Sequence, residues 1–229
     1  MIWLLDLDNT LVGRDVAFAA WARGAVAEVG GDESDVAAIV AADRGGHAPK
    51  TDVARVIVER LGWRDELPAV VERFRQGILE HVEAYPGVLA ALDGLRADGH
   101  RVVVVTNGTS AQQRGKIARC DVAPHVDDVV VSDEEQVAKP DPRLLEIALE
   151  RIGAGAADRR EVWMVGDAAH LDVAAGRAAG VRTAWVSHGH AWAGGPVPDV
   201  VGATTVETLA LAAAASRVAA TGPGTPAPL

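Results

Sequence analysis

Short, uninterrupted apolar runs that close on polar residues constrain the fold of this chain more than any other feature. Ile2–Leu5 (IWLL) runs into Asp6, Val102–Val105 into Thr106, and Val162–Val165 into Gly166-Asp167. Thr183–Val186 has the same form, and Val129–Val131 is a weaker example. Such runs are short for helices and lack the alternation of a half-exposed strand, so they read as strands covered on both faces. From Pro86 onward the segments between them carry helix punctuation. Pro86–Asp98 stops at Gly99, and Asp141–Ile152 has Pro142 in its first turn and Gly153 after its last. Leu171–Ala179 stops at Gly180, and Val206–Ala219 follows a Thr pair suited to capping it. This alternation predicts an α/β fold: a doubly wound, parallel-sheet, Rossmann-like core.

Residues 15–84 break the alternation. They read as helical segments at 15–29, 34–43, 50–61 and 66–83, punctuated by Gly30-Gly31, Gly45-Gly46 and Gly62. The expected organisation is a core of residues 1–13 and 85–220, an inserted α-helical domain at 14–84, and a disordered Pro/Gly-rich tail at 221–229. With 49% hydrophobic and 24% charged residues, the chain has the composition of a packed globular protein. A net charge of −10 argues against nucleic acid as a partner, because neutralising phosphates needs a basic face. The lone Cys120 excludes an internal disulfide and reads as a small buried residue. The apolar start ends at Asp6, short of a secretory signal, and no stretch reaches the ~18 apolar residues of a membrane span. A cytoplasmic protein without a membrane partner is the expectation; the oligomeric state is not encoded in any pattern.

Four polar motifs fall at strand ends or just before core helices. Asp6 and Asp8, spaced i and i+2 after the first run, repel each other unless a positive charge intervenes, and a hard divalent cation such as magnesium is the usual solution. Thr106-Asn107-Gly108-Thr109 offers hydroxyl and backbone N–H groups to an anionic oxygen. Lys139, in Lys139-Pro140-Asp141-Pro142, offers a fixed positive charge. Asp167 sits at a strand end, with Asp172 one helical turn beyond. Taken singly, each has an ordinary explanation: a solvated turn, a helix cap, a surface lysine. Together, in this order and each at a strand end or just before a core helix, they make a nucleophile, a metal site and positive charge for a phosphoryl group.

At these positions the chain resembles the haloacid dehalogenase-like (HAD) superfamily. Its motifs read here as LLDLDNTL (Leu4–Leu11), VVVVTNG (Val102–Gly108), Lys139 within AKPDP, and VGDAAHLD (Val165–Asp172). The resemblance spans about residues 1–205 and likens the helical insert to the family's small α-helical cap. It implies a magnesium-dependent phosphatase acting on a small phosphorylated metabolite through an aspartyl-phosphate intermediate. Asp6 would be the nucleophile and Asp8 the general acid and base. Thr106, the backbone at Asn107, and Lys139 would hold the phosphoryl oxygens. The Asp6 carboxylate, the Asp8 carbonyl and Asp167 would hold Mg²⁺, with Asp172 a direct or water-mediated partner. Ala168 and Leu171 depart from the small hydroxyl residue and the Asn common in the last motif.

Other readings are weaker. Dehalogenases of this fold usually lack the acid at the Asp8 position. Phosphosugar mutases typically carry a histidine shortly after the first motif, and Gly13–Phe18 has none. A non-catalytic regulatory protein on the same scaffold is the alternative from another class. Substrate choice is expected in the insert, where Arg44, His47 and Lys50 crowd a Gly/Pro turn taken to face the cleft and read the leaving group. The His188-Gly189-His190 pair and His170 lack the further ligands of a zinc site. Trp3, Trp163 and Trp185 read as core packing, with Trp192 near the cleft rim.

Overall fold

The computed structural model describes residues 1–155, 157–192 and 194–220; the tail expectation for 221–229 lies outside the described residues. Two compact units emerge. One comprises residues 1–11, 85–113 and 121 onward, the other residues 12–84 and 114–120.

The first unit is built on a six-stranded sheet, every pairing parallel, in the order β3-β2-β1-β4-β5-β6. The strands are β1 (Ile2–Leu5), β2 (Arg101–Thr106), β3 (Asp128–Val131), β4 (Val162–Gly166), β5 (Arg182–Val186) and β6 (Val200–Gly202). Its uniformly apolar strands are buried on both faces, as their sequences require. Leu4, Val103, Val105 and Met164 pack with Leu144, Leu145 and Ala148 on one face. Trp3 and Trp163 stack at 6.1 Å between centroids, and the Trp163 indole N–H donates to Ser216 Oγ at 2.9 Å.

Register places the chemistry. Leu5 pairs with Val104 on one side and Val165 on the other, so the residues that follow the three strands emerge along a single edge. The strand order reverses at β1, between β2 and β4, and such a switch point opens a crevice at the carboxyl ends.

The second unit contains α1 (Arg14–Glu28), α2 (Glu33–Asp43), α3 (Lys50–Leu61) and α4 (Leu67–His81) around Phe18, Trp21, Ile39, Ile57 and Phe74. Asp32 and Asp35 form a capping box at the start of α2. Arg14 and Asp43 form a buried bidentate ion pair, and Asp43 Oδ2 also accepts from the Gly46 N–H at 2.7 Å. Burial alone would lower the Arg14 pKa, but Asp43 and Asp15 raise it above the ordinary arginine value, so the guanidinium stays charged.

The remaining helices are α5 (Val88–Ala97), α6 (Ser110–Arg119), α7 (Ser132–Glu135), α8 (Arg143–Arg151), α9 (Ala174–Ala178) and α10 (Thr205–Ala220). Three of these segments differ from sequence expectation, the four-residue α7 (SDEE) being too short to carry a helical pattern. α6 has no place in the predicted pattern, because SAQQRGKIAR carries no apolar stripe. In place of one helix over Leu171–Ala179, a π-helical turn at Ala169–Val173 precedes the short α9. Strand β6 is also unheralded: it is three residues long at the sheet edge, with Val201 exposed.

Asp43→Ala leaves the buried Arg14 charge with only the partly exposed Asp15 in place of its bidentate partner and is expected to cost about 3 kcal/mol in denaturant unfolding. Replacing both partners by apolar residues, Arg14→Met with Asp43→Leu, should recover much of the loss. A double variant no more stable than Asp43→Ala would overturn this account of the pair.

Candidate active site

Lys139 is the centre of the site. Its ammonium donates to Asp6 Oδ1 at 2.6 Å and to the Val105 carbonyl at 2.7 Å, and lies 2.7 Å from Asp172 Oδ1. Lys139, Asp6 and Asp172 are all buried, at 3%, 7% and 1% exposure, so these charges interact with little solvent screening. Burial by itself would lower the lysine pKa; Asp172 and Asp6 outweigh it and raise the pKa, keeping the ammonium charged. The opposite balance holds at Asp6. Burial lifts its pKa to about 7, Lys139 opposes the rise, and Asp172 and Asp8 add to it. The cluster carries more negative charge than Lys139 can neutralise.

The lysine is aimed by its backbone. The Asn107 side-chain amide grips the Lys139 main chain from both sides: Nδ2 donates to the Lys139 carbonyl at 2.8 Å, and Oδ1 accepts from the Lys139 N–H at 2.9 Å. The Lys139–Pro140 peptide is cis. The Asn107 side chain therefore orients Lys139, while its main chain lies at the end of β2 beside Thr106. Thr106 Oγ1 and Asp8 Oδ2 are bridged by Gln113 of α6, whose Nε2 lies 2.6 Å from the first and 3.1 Å from the second. Gln113 carries no charge and occupies no motif, and sequence reasoning missed it.

The acidic loop after β4 is held from several sides. Asp172 Oδ2 accepts from the Ala168 N–H at 3.0 Å, so the departure to Ala168 leaves a backbone contact in place. The π-helical turn brings Asp172 back over Gly166. A Cβ on Gly166 would lie 2.1 Å from Asp172 Oδ2, so only glycine permits this approach. Asp167 donates its N–H to Thr10 Oγ1 at 3.1 Å, and its carbonyl accepts from Trp185 Nε1 at 2.6 Å. The Thr10 carbonyl in turn accepts from Thr205 Oγ1. Neither Thr10 nor Trp185 was a candidate; Thr10 sits inside the first motif, the one signal that marked it.

One carboxylate oxygen from each of Asp6, Asp167 and Asp172 lies within 4.8 Å of the others, an all-oxygen, anionic donor set that fits a hard divalent cation such as Mg²⁺. Asp6, Asp8, Thr106, Asn107, Lys139, Asp167 and Asp172 thus come together within the sheet-containing unit. Arg44, His47 and Lys50 belong to the helical unit. There Arg44 and His47 are exposed, whereas Lys50 turns inward: Nζ donates to the Gly46 carbonyl at 2.6 Å and lies 3.8 Å from Asp43. The histidine after β5 has a structural contact, with His188 Nε2 2.5 Å from the Asn9 carbonyl and its ring against Tyr85. Cys120 is buried with its thiol toward the Val82 carbonyl. Trp192 meets Trp185 edge-on at 4.9 Å. Among the described residues no helix is long and apolar enough to cross a membrane.

Gly166→Ala is expected to cost about 1–3 kcal/mol in unfolding free energy, because the added methyl must displace Asp172. An unchanged denaturation midpoint would show that the loop absorbs it.

Comparison with known proteins agrees with this geometry. The family model described as haloacid dehalogenase-like hydrolase matches residues 2–180. The pyrimidine 5'-nucleotidase YjjG of Escherichia coli is 35% identical over 119 residues, covering 52% of each chain. The phosphoserine phosphatase of Thermus thermophilus is 39% identical over 105 residues, 46% of this chain and 41% of that one. The matched segment thus spans about half the length of these relatives. A magnesium-bound structure of YfnB from Bacillus subtilis shares the fold, with a TM-score of 0.75 at 18% identity over 92% of this chain and 97% of that one. Since the family's sequence pattern runs through β1, β2 and β4 and every motif described above, this chain belongs to the haloacid dehalogenase-like hydrolases.

Proposed function

We propose that this protein is a magnesium-dependent phosphatase that hydrolyses a small phosphate monoester through an aspartyl-phosphate on Asp6. The observation that carries the reading is the buried Lys139 ammonium, held between Asp6 and Asp172 at the strand ends where Asp8 and Thr106 also converge. Relatives named as a nucleotidase and a phosphoserine phosphatase support the same class.

In this reading the Asp6 carboxylate attacks phosphorus and the bond from phosphorus to the leaving oxygen breaks. Asp8 gives its proton to that oxygen, releasing an alcohol. A water then attacks the aspartyl-phosphate, Asp8 takes its proton, and phosphate departs with Asp6 regenerated. Thr106, the Asn107 main chain and Lys139 hold the phosphoryl oxygens and stabilise charge as the bonds change. Mg²⁺, held by the Asp6 carboxylate, the Asp8 carbonyl and Asp167, would offset repulsion between the phosphate dianion and the nucleophile. Asp172 Oδ2 accepts from the Ala168 N–H, whereas its buried Oδ1 lies 2.7 Å from the Lys139 ammonium without a hydrogen bond among the described residues, so we assign Asp172 as a direct or water-mediated partner of the metal. The substrate class is a phosphosugar, a phosphoglycolate-like acid or a nucleoside monophosphate. We assign recognition of its leaving group to the turn carrying Arg44 and His47, with Lys50 bracing that turn.

With p-nitrophenyl phosphate, phosphate release is expected to require Mg²⁺ and to fall by at least about a thousandfold in Asp6→Asn, as loss of a nucleophile does. A well-folded native protein that turns over no phosphate ester with any of several metals would favour a non-catalytic role. Arg44→Ala should raise KM for the natural ester with little change in kcat; an unchanged KM would remove Arg44 from recognition.

A further inference from the structure

We propose that Gln113 is the positioning residue that sets the working orientation of both Asp8 and Thr106; this rests on the phosphatase reading above. Gln113 is 1% exposed, and its side-chain amide reaches two partners from α6. Nε2 lies 3.1 Å from Asp8 Oδ2 and 2.6 Å from Thr106 Oγ1. A primary amide carries two N–H groups on that nitrogen, so both contacts are met by donation.

Each donation has a directional consequence. At Asp8, the oxygen that accepts from Gln113 is Oδ2. When Asp8 is the acid, the proton therefore belongs on Oδ1, and the carboxyl group is fixed in rotation with that oxygen as donor. At Thr106, the hydroxyl oxygen accepts from Gln113, which commits its own proton to donation. The Asn107 carbonyl at 3.5 Å is too far to hold that proton, so it is available to an anionic oxygen. One neutral side chain thus prepares a proton for the leaving group and a donor for the phosphoryl group. It adds no charge that would alter the balance around Asp6. A lysine here would pair with Asp8 and oppose its protonation, and a glutamate would repel it.

The fold makes room for this arrangement. Gly108, at φ +139°, faces the Gln113 side chain, and a Cβ there would lie 3.0 Å from Gln113 Cδ and 3.1 Å from Oε1. The turn after β2 therefore packs directly on the amide and restricts its rotation.

The test compares Gln113→Met, which keeps length and removes both donors, with native protein in Mg²⁺. The readout is kcat/KM for p-nitrophenyl phosphate, whose phenolate leaves with little assistance, against ethyl phosphate, whose alkoxide needs a proton. This ratio reports phosphoryl transfer to Asp6, free of the later hydrolysis common to both esters. Misdirecting the acid should lower kcat/KM for the alkyl ester by about tenfold to a hundredfold more than for the aryl ester. In the Asp8→Asn background, Gln113→Met should change the ratio no further. An equal loss on both esters, or no loss, overturns the proposal while leaving the phosphatase reading intact. Absence of turnover by the native protein overturns both. Should Gln113→Met fail to fold, the neutral Gln113→Leu, which also removes both donors, is read the same way; failure of both to give a cooperative thermal transition would mark the residue as structural and overturn the assignment.

Discussion

A lysine ammonium removed from water sets the terms for the sheet-containing unit. Burying such a charge is tolerated only when paired anions and hydrogen-bond acceptors replace its hydration. Lys139 finds Asp6 after β1, the Val105 carbonyl on β2 and Asp172 after β4, so its three partners come from three strands. They meet at one point because β1 lies between β2 and β4 in a parallel register that ends all three on the same edge. The strand order is thus as much a part of the site as the side chains are.

Around this charged centre the supporting contacts are neutral. Asn107 clamps the Lys139 backbone, Thr10 and Trp185 hold the main chain of Asp167, and the Ala168 N–H holds Asp172. Neutral donors and acceptors fix geometry without changing the sum of charges, which leaves Lys139 opposed by several acids. The raised pKa of Asp6 expresses that imbalance: burial disfavours its charge more than one lysine can compensate. A further cation would relieve it, in keeping with the oxygen-rich cluster of Asp6, Asp167 and Asp172. The helical unit uses a buried ion pair for another purpose, with Asp43 tying Arg14 to the Gly46 turn.

Much of the architecture was legible because parallel strands covered on both faces must be apolar at every position. IWLL, VVVV and VWMV could be recognised without knowing their neighbours, and the charged residues following them stood out by contrast. Helices α1 to α4 were legible within a residue or two, from glycines at their ends and apolar residues along their lengths. What escaped had weak local signals. β6 is only three residues long, α6 is polar along its length, and the π-helical turn inserts a residue that no side-chain pattern announces.

Gln113 shows the same limit at the candidate site. It is the second of two glutamines on a polar helix, and it meets Asp8 across 105 positions of chain. Nothing local distinguishes it from its half-buried neighbour Gln112. The amino-acid sequence by itself determined strands β1 to β5, the helices of residues 14–81 and the charged residues, because burial and turn preferences act over a few residues. Only the tertiary structure decided which neutral groups aim those charges, because hydrogen-bond partners are set by the register and packing of strands far apart in the chain.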